Sequence, residues 1–121
     1  MSTYATIAIS RSESDGVEIV ALRGDVDLTN AGLVREAVEA TSSETVVLDL
    51  SEVAFLDSMA ISTFGARPPE LPAERRSLFV VSPPETPSAW TLRITGVSGA
   101  VVCESLGEAL AAATATRHAT R

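Results

Sequence analysis

Ser58 is the residue in this chain best placed to do chemistry. It stands in the stretch Phe55-Leu56-Asp57-Ser58-Met59-Ala60-Ile61-Ser62, where an apolar run reaches an aspartate and then a hydroxyl. A serine at that point has two uses. It can start a helix, by accepting hydrogen bonds from first-turn amides, or it can present its hydroxyl as a phosphoryl acceptor. Three carboxylates, Asp25, Asp27 and Asp57, fall near the ends of apolar runs. Carboxylates in such places serve as caps, as a weak cation site, or as contacts for a partner. Other chemistries lack their residues. His118 is the single histidine and lies in the C-terminal tail, which removes a Ser-His-Asp triad. One histidine with one cysteine cannot make the usual zinc site. Cys103 closes the apolar run Val101-Val102-Cys103 and reads as a core residue. No glycine-rich phosphate loop occurs. Gly96-Val97-Ser98-Gly99 lacks the spacing of a nucleophile elbow and reads as a turn. The chain is expected to be no enzyme and to need no cofactor or metal.

Charge narrows the partner class. The net charge is −7, and all nine basic residues are arginine. That balance argues against nucleic acid and against an anionic membrane surface, and leaves a protein with a basic face. A length of 121 residues suits one domain over 1–121, with 1–3 and 114–121 frayed. The start carries no basic segment followed by an apolar stretch, and no apolar run is long enough to span a bilayer. The expected location is cytoplasmic, without membrane insertion.

The elements that must position these residues follow from apolar spacing. Tyr4–Ser10 and Val17–Leu22 read as strands joined through the turn Asp15-Gly16, an antiparallel pair. Thr29 or Asn30 caps a helix whose apolar stripe is Leu33, Val34, Ala37 and Val38. Arg35, Glu36 and Glu39 form its solvated side. Thr45–Leu50 is dense enough for a strand buried on both faces, and Ala54–Asp57 leads out of it. A short helix starts at Ser58, turning Ala60, Ile61 and Phe64 inward, and ends before Pro68, Pro69 and Pro72. Ser77–Ser82 is the next strand, and a helix begins near Pro87 and stops by Gly96. Ala100–Cys103 is the last strand. Ser105-Leu106-Gly107-Glu108 is a capping box, opening a helix that turns Leu106, Ala109, Leu110 and Ala113 inward. All six prolines lie between Pro68 and Pro87, which makes that region stiff and irregular. The order β-β-α-β-α-β-α-β-α predicts an α/β domain with a mixed, mostly parallel sheet and an antiparallel N-terminal pair. In such a sheet the loops after the strands gather on one edge, which brings Asp25, Asp27 and Asp57 together.

Three segments resemble the STAS domain family, the fold of bacterial anti-sigma factor antagonists. Leu22-Arg23-Gly24-Asp25-Val26-Asp27-Leu28-Thr29 is similar to the family's "GELD" loop, and Val46–Ser58 resembles its "VVLDLSGVxFIDS" segment. Leu92-Arg93-Ile94-Thr95-Gly96-Val97, followed by Ser105–Leu110, is similar to its "LRLTGL…SLEEAL" ending. The resemblance covers nearly the whole chain, in the family's order. It implies a protein that binds an anti-sigma factor, a serine kinase of the histidine-kinase-like ATPase class, and so frees a sigma factor. It implies that this kinase phosphorylates Ser58 and ends the association, and that a PP2C-type phosphatase restores it. ATP would belong to the kinase. Asp25 and Asp27 fall on family positions beside the phosphorylation site and are expected to meet the partner. Asp57 would cap and position, and Met59 and Ala60 would shape the contact surface.

The family usually continues "DSSGLG", whereas this chain has Asp57-Ser58-Met59-Ala60-Ile61-Ser62, without glycine at 60 and 62. That departure is what an unswitched STAS scaffold, in a transporter or stress-signalling complex, would show. A third reading is a small-molecule regulatory domain with its ligand at the strand-end loops.

Overall fold

The computed structural model describes residues 7–41, 43, 45–60, 77–95 and 100–119. The hairpin expected at Asp15-Gly16 is present. Both residues have positive φ, 53° and 81°, the backbone that a two-residue hairpin turn requires. It folds β1 (Ile7–Ser14) antiparallel onto β2 (Val17–Val26), with Ser14 opposite Val17. β3 (Thr45–Leu56), β4 (Ser77–Val81) and β5 (Ala100–Cys103) then add in parallel, giving one sheet in the order β1-β2-β3-β4-β5. Three helices are described in full, α1 (Ala31–Glu39), α2 (Pro87–Thr95) and α3 (Leu106–Ala119). Residues Ser58–Ala60 are also helical. The chain is a single α/β domain with a mixed five-stranded sheet.

Because each parallel strand is laid beside the last, crossovers of one hand put their helices on one face of the sheet. Ala31, Val34, Ala37 and Val38 of α1 and Leu92 of α2 accordingly pack with Val20, Leu22, Val26, Val46, Leu48 and Leu50. α3 closes the opposite face, placing Ala109 and Ala113 on Val17, Ile19, Val47, Phe79, Val81 and Cys103. The central strands are therefore buried on both sides, which is why their sequence runs apolar instead of alternating. Burying a side chain such as Leu48 or Leu50 in full contributes about 1.5–3 kcal/mol.

Several boundaries and faces differ from expectation. β1 continues past Ser10 to the turn, and residues 4–6 lie outside the described ones. β2 and β3 run on to Val26 and Leu56 instead of stopping at Leu22 and Leu50, because the two strands keep pairing through irregularities. Leu33 is exposed, not part of the α1 stripe; it sits roughly 100° round the helix from the line of Ala31, Val34, Ala37 and Val38. The tail beyond Thr114, expected to fray, stays helical to Ala119. At the start of α3 the Glu108 amide donates to Ser105 Oγ (3.0 Å). The Glu108 carboxylate reaches one residue further back than a capping box requires, accepting from the Glu104 amide (2.8 Å). The inward roles given to Ile61 and Phe64, the prolines 68, 69 and 72, and the turn at 96–99 fall outside the described residues.

Candidate functional site

The site is assembled by a change of register between β2 and β3. At Ala21 opposite Asp49 the paired residues are 28 apart in sequence; at Arg23 opposite Glu52 they are 29 apart, and at Val26 opposite Leu56 they are 30 apart. β3 thus holds two extra residues, the mark of bulges, which bend a strand and re-aim the side chains beyond them. Gly24 lies between the two shifts with φ 110°, a conformation open to glycine and costly to other residues. The consequence is at the strand ends. Leu56 arrives beside Val26, and the Asp57 amide donates to the Val26 carbonyl (2.9 Å).

That bond places the turn containing Ser58 next to the loop containing Asp27. Asp57 caps the turn as expected: its Oδ1 accepts from the Met59 amide (2.8 Å), and its carbonyl accepts from the Ala60 amide (2.9 Å). Ser58 is the first helical residue and is exposed. Ala60, expected to shape a partner surface, is instead fully buried in the core beneath the turn, so its methyl group presents nothing outward. Met59 is 60% exposed. Two more exposed apolar side chains that sequence reasoning did not single out lie at these strand ends, Leu28 at 54% and Phe55 at 51% exposure. Phe55 pairs across the sheet with Asp25, and Leu28 follows Asp27. Their signal was an apolar residue next to a strand-end acid, which reads equally well as core.

Asp25 is in β2, not in a loop, and is half-buried; Asp27 is at the turn into α1. The Asp27 carboxylate accepts from the Thr29 hydroxyl (2.6 Å) and the Thr29 amide (2.9 Å). The Thr29 hydroxyl bond, more than the amide bonds, holds the Asp27 carboxyl below the usual carboxylate range, against a smaller opposing effect of desolvation. Neither Thr29 nor Asn30 caps α1 through its side chain. Asn30 occupies the cap position but turns its amide back into the loop, where it accepts from the Asp27 amide (3.0 Å) and donates to the Asp25 carbonyl (2.9 Å).

The arrangement offers an exposed hydroxyl at the start of a helical turn, with carboxylates and half-exposed apolar groups around it. Among the described residues no group of three His, Cys, Asp or Glu side chains is placed to hold a metal ion. A strand-end groove of about 220 Å³ beside β4 and β5, lined by Ser82, Leu92, Arg93 and Glu104 among others, shares no residue with the Ser58 edge. Among the described residues no helix is long and apolar enough to cross a membrane. Cys103 is buried, and desolvation together with the Glu108 carboxylate pushes its thiol up, away from the reactive thiolate.

Known proteins share this fold. A crystal structure of an anti-sigma factor antagonist from Mycobacterium paratuberculosis superposes with a TM-score of 0.76 at 26% identity, covering 90% of this chain and 95% of that one. The anti-sigma factor antagonist SpoIIAA in its unphosphorylated form superposes with a TM-score of 0.65 over 89% of this chain and 97% of that one; at 17% identity it speaks to the fold alone. In sequence, the anti-sigma-F factor antagonist RsfB of Mycobacterium tuberculosis is 32% identical over 69 residues, 54% of this chain. The match takes in 57% of that relative, so the chain spans little more than half the length of the curated protein it resembles. The family model described as the STAS domain matches residues 8–109, which takes in every strand past the first residue of β1, the Ser58 turn and the start of α3. The chain belongs to the STAS domain family.

Proposed function

We propose that this protein is an anti-sigma factor antagonist, a non-enzymatic regulator that works by binding another protein. Its partner is an anti-sigma factor of the histidine-kinase-like ATPase class, whose sigma factor is released when the antagonist binds. Phosphorylation of Ser58 by that kinase ends the association, and a PP2C-type phosphatase restores it. ATP is the kinase's, and the exchange takes place in the cytoplasm.

The observation that supports this reading is the exposed Ser58 hydroxyl on a turn capped by Asp57, held beside Asp27 by the bond between the Asp57 amide and the Val26 carbonyl. An exposed hydroxyl at a strand-end turn can enter a kinase active site without unfolding the domain. Leu28, Phe55 and Met59 supply apolar area that association would cover. Asp25 and Asp27 supply negative charge for a basic partner face. A phosphate adds roughly −1.5 to −2 charge at pH 7, and set among these groups it opposes a close apolar contact.

The test is capture from the native organism with wild type, Ser58→Ala and Ser58→Asp as baits, with partners identified by mass spectrometry. A histidine-kinase-like ATPase retained by wild type and Ser58→Ala and lost by Ser58→Asp supports the switch. Equal capture of the same partner by all three baits sinks it and favours an unswitched scaffold, in which Ser58 only starts the turn.

A further inference from the structure

Asn30 is 5% exposed, holds the cap position of α1, and makes no side-chain cap bond. Its amide instead clamps the end of β2, accepting from the Asp27 amide and donating to the Asp25 carbonyl. The Asp27 N–H and the Val26 C=O belong to one planar peptide group. That same carbonyl accepts the Asp57 amide. A line of hydrogen bonds therefore runs from the buried Asn30 Oδ1, through the Val26–Asp27 peptide, to the Asp57 amide. The Asp57 carboxylate continues it to the Met59 amide, around Ser58. Bonds on the two sides of one peptide polarise each other and fix its plane. The role needs a short side chain that both accepts and donates. Aspartate keeps only the acceptor, and alanine keeps neither.

We propose that Asn30 is a positioning residue that joins the β2–α1 loop to the Ser58 turn, so that charge placed on Ser58 is felt at Asp25 and Asp27 as a change in the loop's geometry. Its regulatory meaning rests on Ser58 being the switch; the coupling itself does not. The side-chain hydrogen bonds of Asn30 go to the Asp27 amide and the Asp25 carbonyl, so it acts on the Ser58 turn through the Val26–Asp27 peptide.

The experiment is amide hydrogen exchange and chemical-shift mapping by NMR on the full chain. Thr41→Ala serves as the stability control, since it removes a buried hydroxyl bond to the Val38 carbonyl (2.6 Å) at the far end of α1. In Asn30→Ala the Asp57 amide should exchange at least tenfold faster than in Thr41→Ala, while β3 core amides change alike in both. Asn30→Asp, which keeps the acceptor for the Asp27 amide, should give a smaller rise and serves if the alanine variant does not fold. Introducing Ser58→Asp into the wild-type chain should move the amide resonances of residues 25–30, and in the Asn30→Ala background those movements should fall by half or more. The proposal is overturned if neither Asn30 variant speeds Asp57 exchange beyond the control, or if the Ser58→Asp movements persist at full size. None of these readouts uses a partner. Coupling without capture of an ATPase would sink the antagonist reading and leave the positioning role; capture without coupling would do the reverse.

Discussion

Ser58→Asp is expected to abolish partner capture while leaving the domain as stable as wild type. Ser58 is exposed, so the replacement buries nothing and opens no cavity. One negative charge at the start of a helical turn gains about 0.3–1 kcal/mol. Against it stand Asp25, Asp27 and Asp57. At a separation on the order of a Debye length, about 8 Å, each unit pair costs about 0.5 kcal/mol in water and roughly 0.2 kcal/mol after screening. Three such terms oppose by about 0.6 kcal/mol, so the two effects nearly cancel and the net change lies within about 0.5 kcal/mol. With a urea slope of about 1–1.5 kcal/mol/M for a chain of this size, the midpoint should move by less than about 0.5 M. Far-UV circular dichroism is the suitable probe, because the single Trp90 is already 64% exposed in the folded chain and its fluorescence should change little on unfolding. Across an interface the same charge loses its water, at a cost of several kcal/mol if unpaired. At 1.4 kcal/mol per factor of ten, binding should fall by a hundredfold or more. A midpoint lowered by about 1.5 M or more would refute the reasoning, since loss of capture would then report unfolding. Undiminished capture would refute it from the other side.

Further outcomes follow from the same geometry. The Asp27 carboxyl should titrate below the ordinary aspartate range in a carboxyl-carbon NMR titration, and Thr29→Val, which deletes the hydroxyl bond that lowers it most, should move it upward. Since the folded value is the depressed one, the contribution of Asp27 to holding the loop is complete above about pH 4 and is lost as pH falls through the lower folded value. Phe55→Ser and Met59→Ser should leave stability within about 0.5 kcal/mol of wild type yet weaken capture tenfold or more; lost capture with a matching loss of stability would assign these side chains to the core. Leu48→Ala, in the fully buried centre of β3, should cost about 2–5 kcal/mol by urea unfolding, and a cost under about 1 kcal/mol would contradict the packing described for it.

The parts of the fold that were legible in the sequence are those where one residue type has one use. The run Thr45–Leu50 is too apolar for any place but a strand covered on both faces, Asp15-Gly16 suits the positive φ values of a hairpin turn, and Pro87 opens a helix as its fixed φ allows. Asn30 was ambiguous in kind. Capping a helix and clamping a loop both call for a short amide, and only the placement of Asp25 and Asp27 decides between them. The strand ends were missed for a different reason. On the face of β3 that α1 and α2 cover the core residues are Val46, Leu48, Leu50, Val53 and Leu56, so the step of two becomes a step of three, twice. Read as alternation, the pattern fails after Leu50 and the strand seems to stop. Read as two inserted residues, it agrees with the offset between β2 and β3 growing from 28 to 30. Those insertions carry Asp57 to the Val26 carbonyl and bring Ser58 beside Asp27, so the irregularity that hid the strand end is also what builds the site.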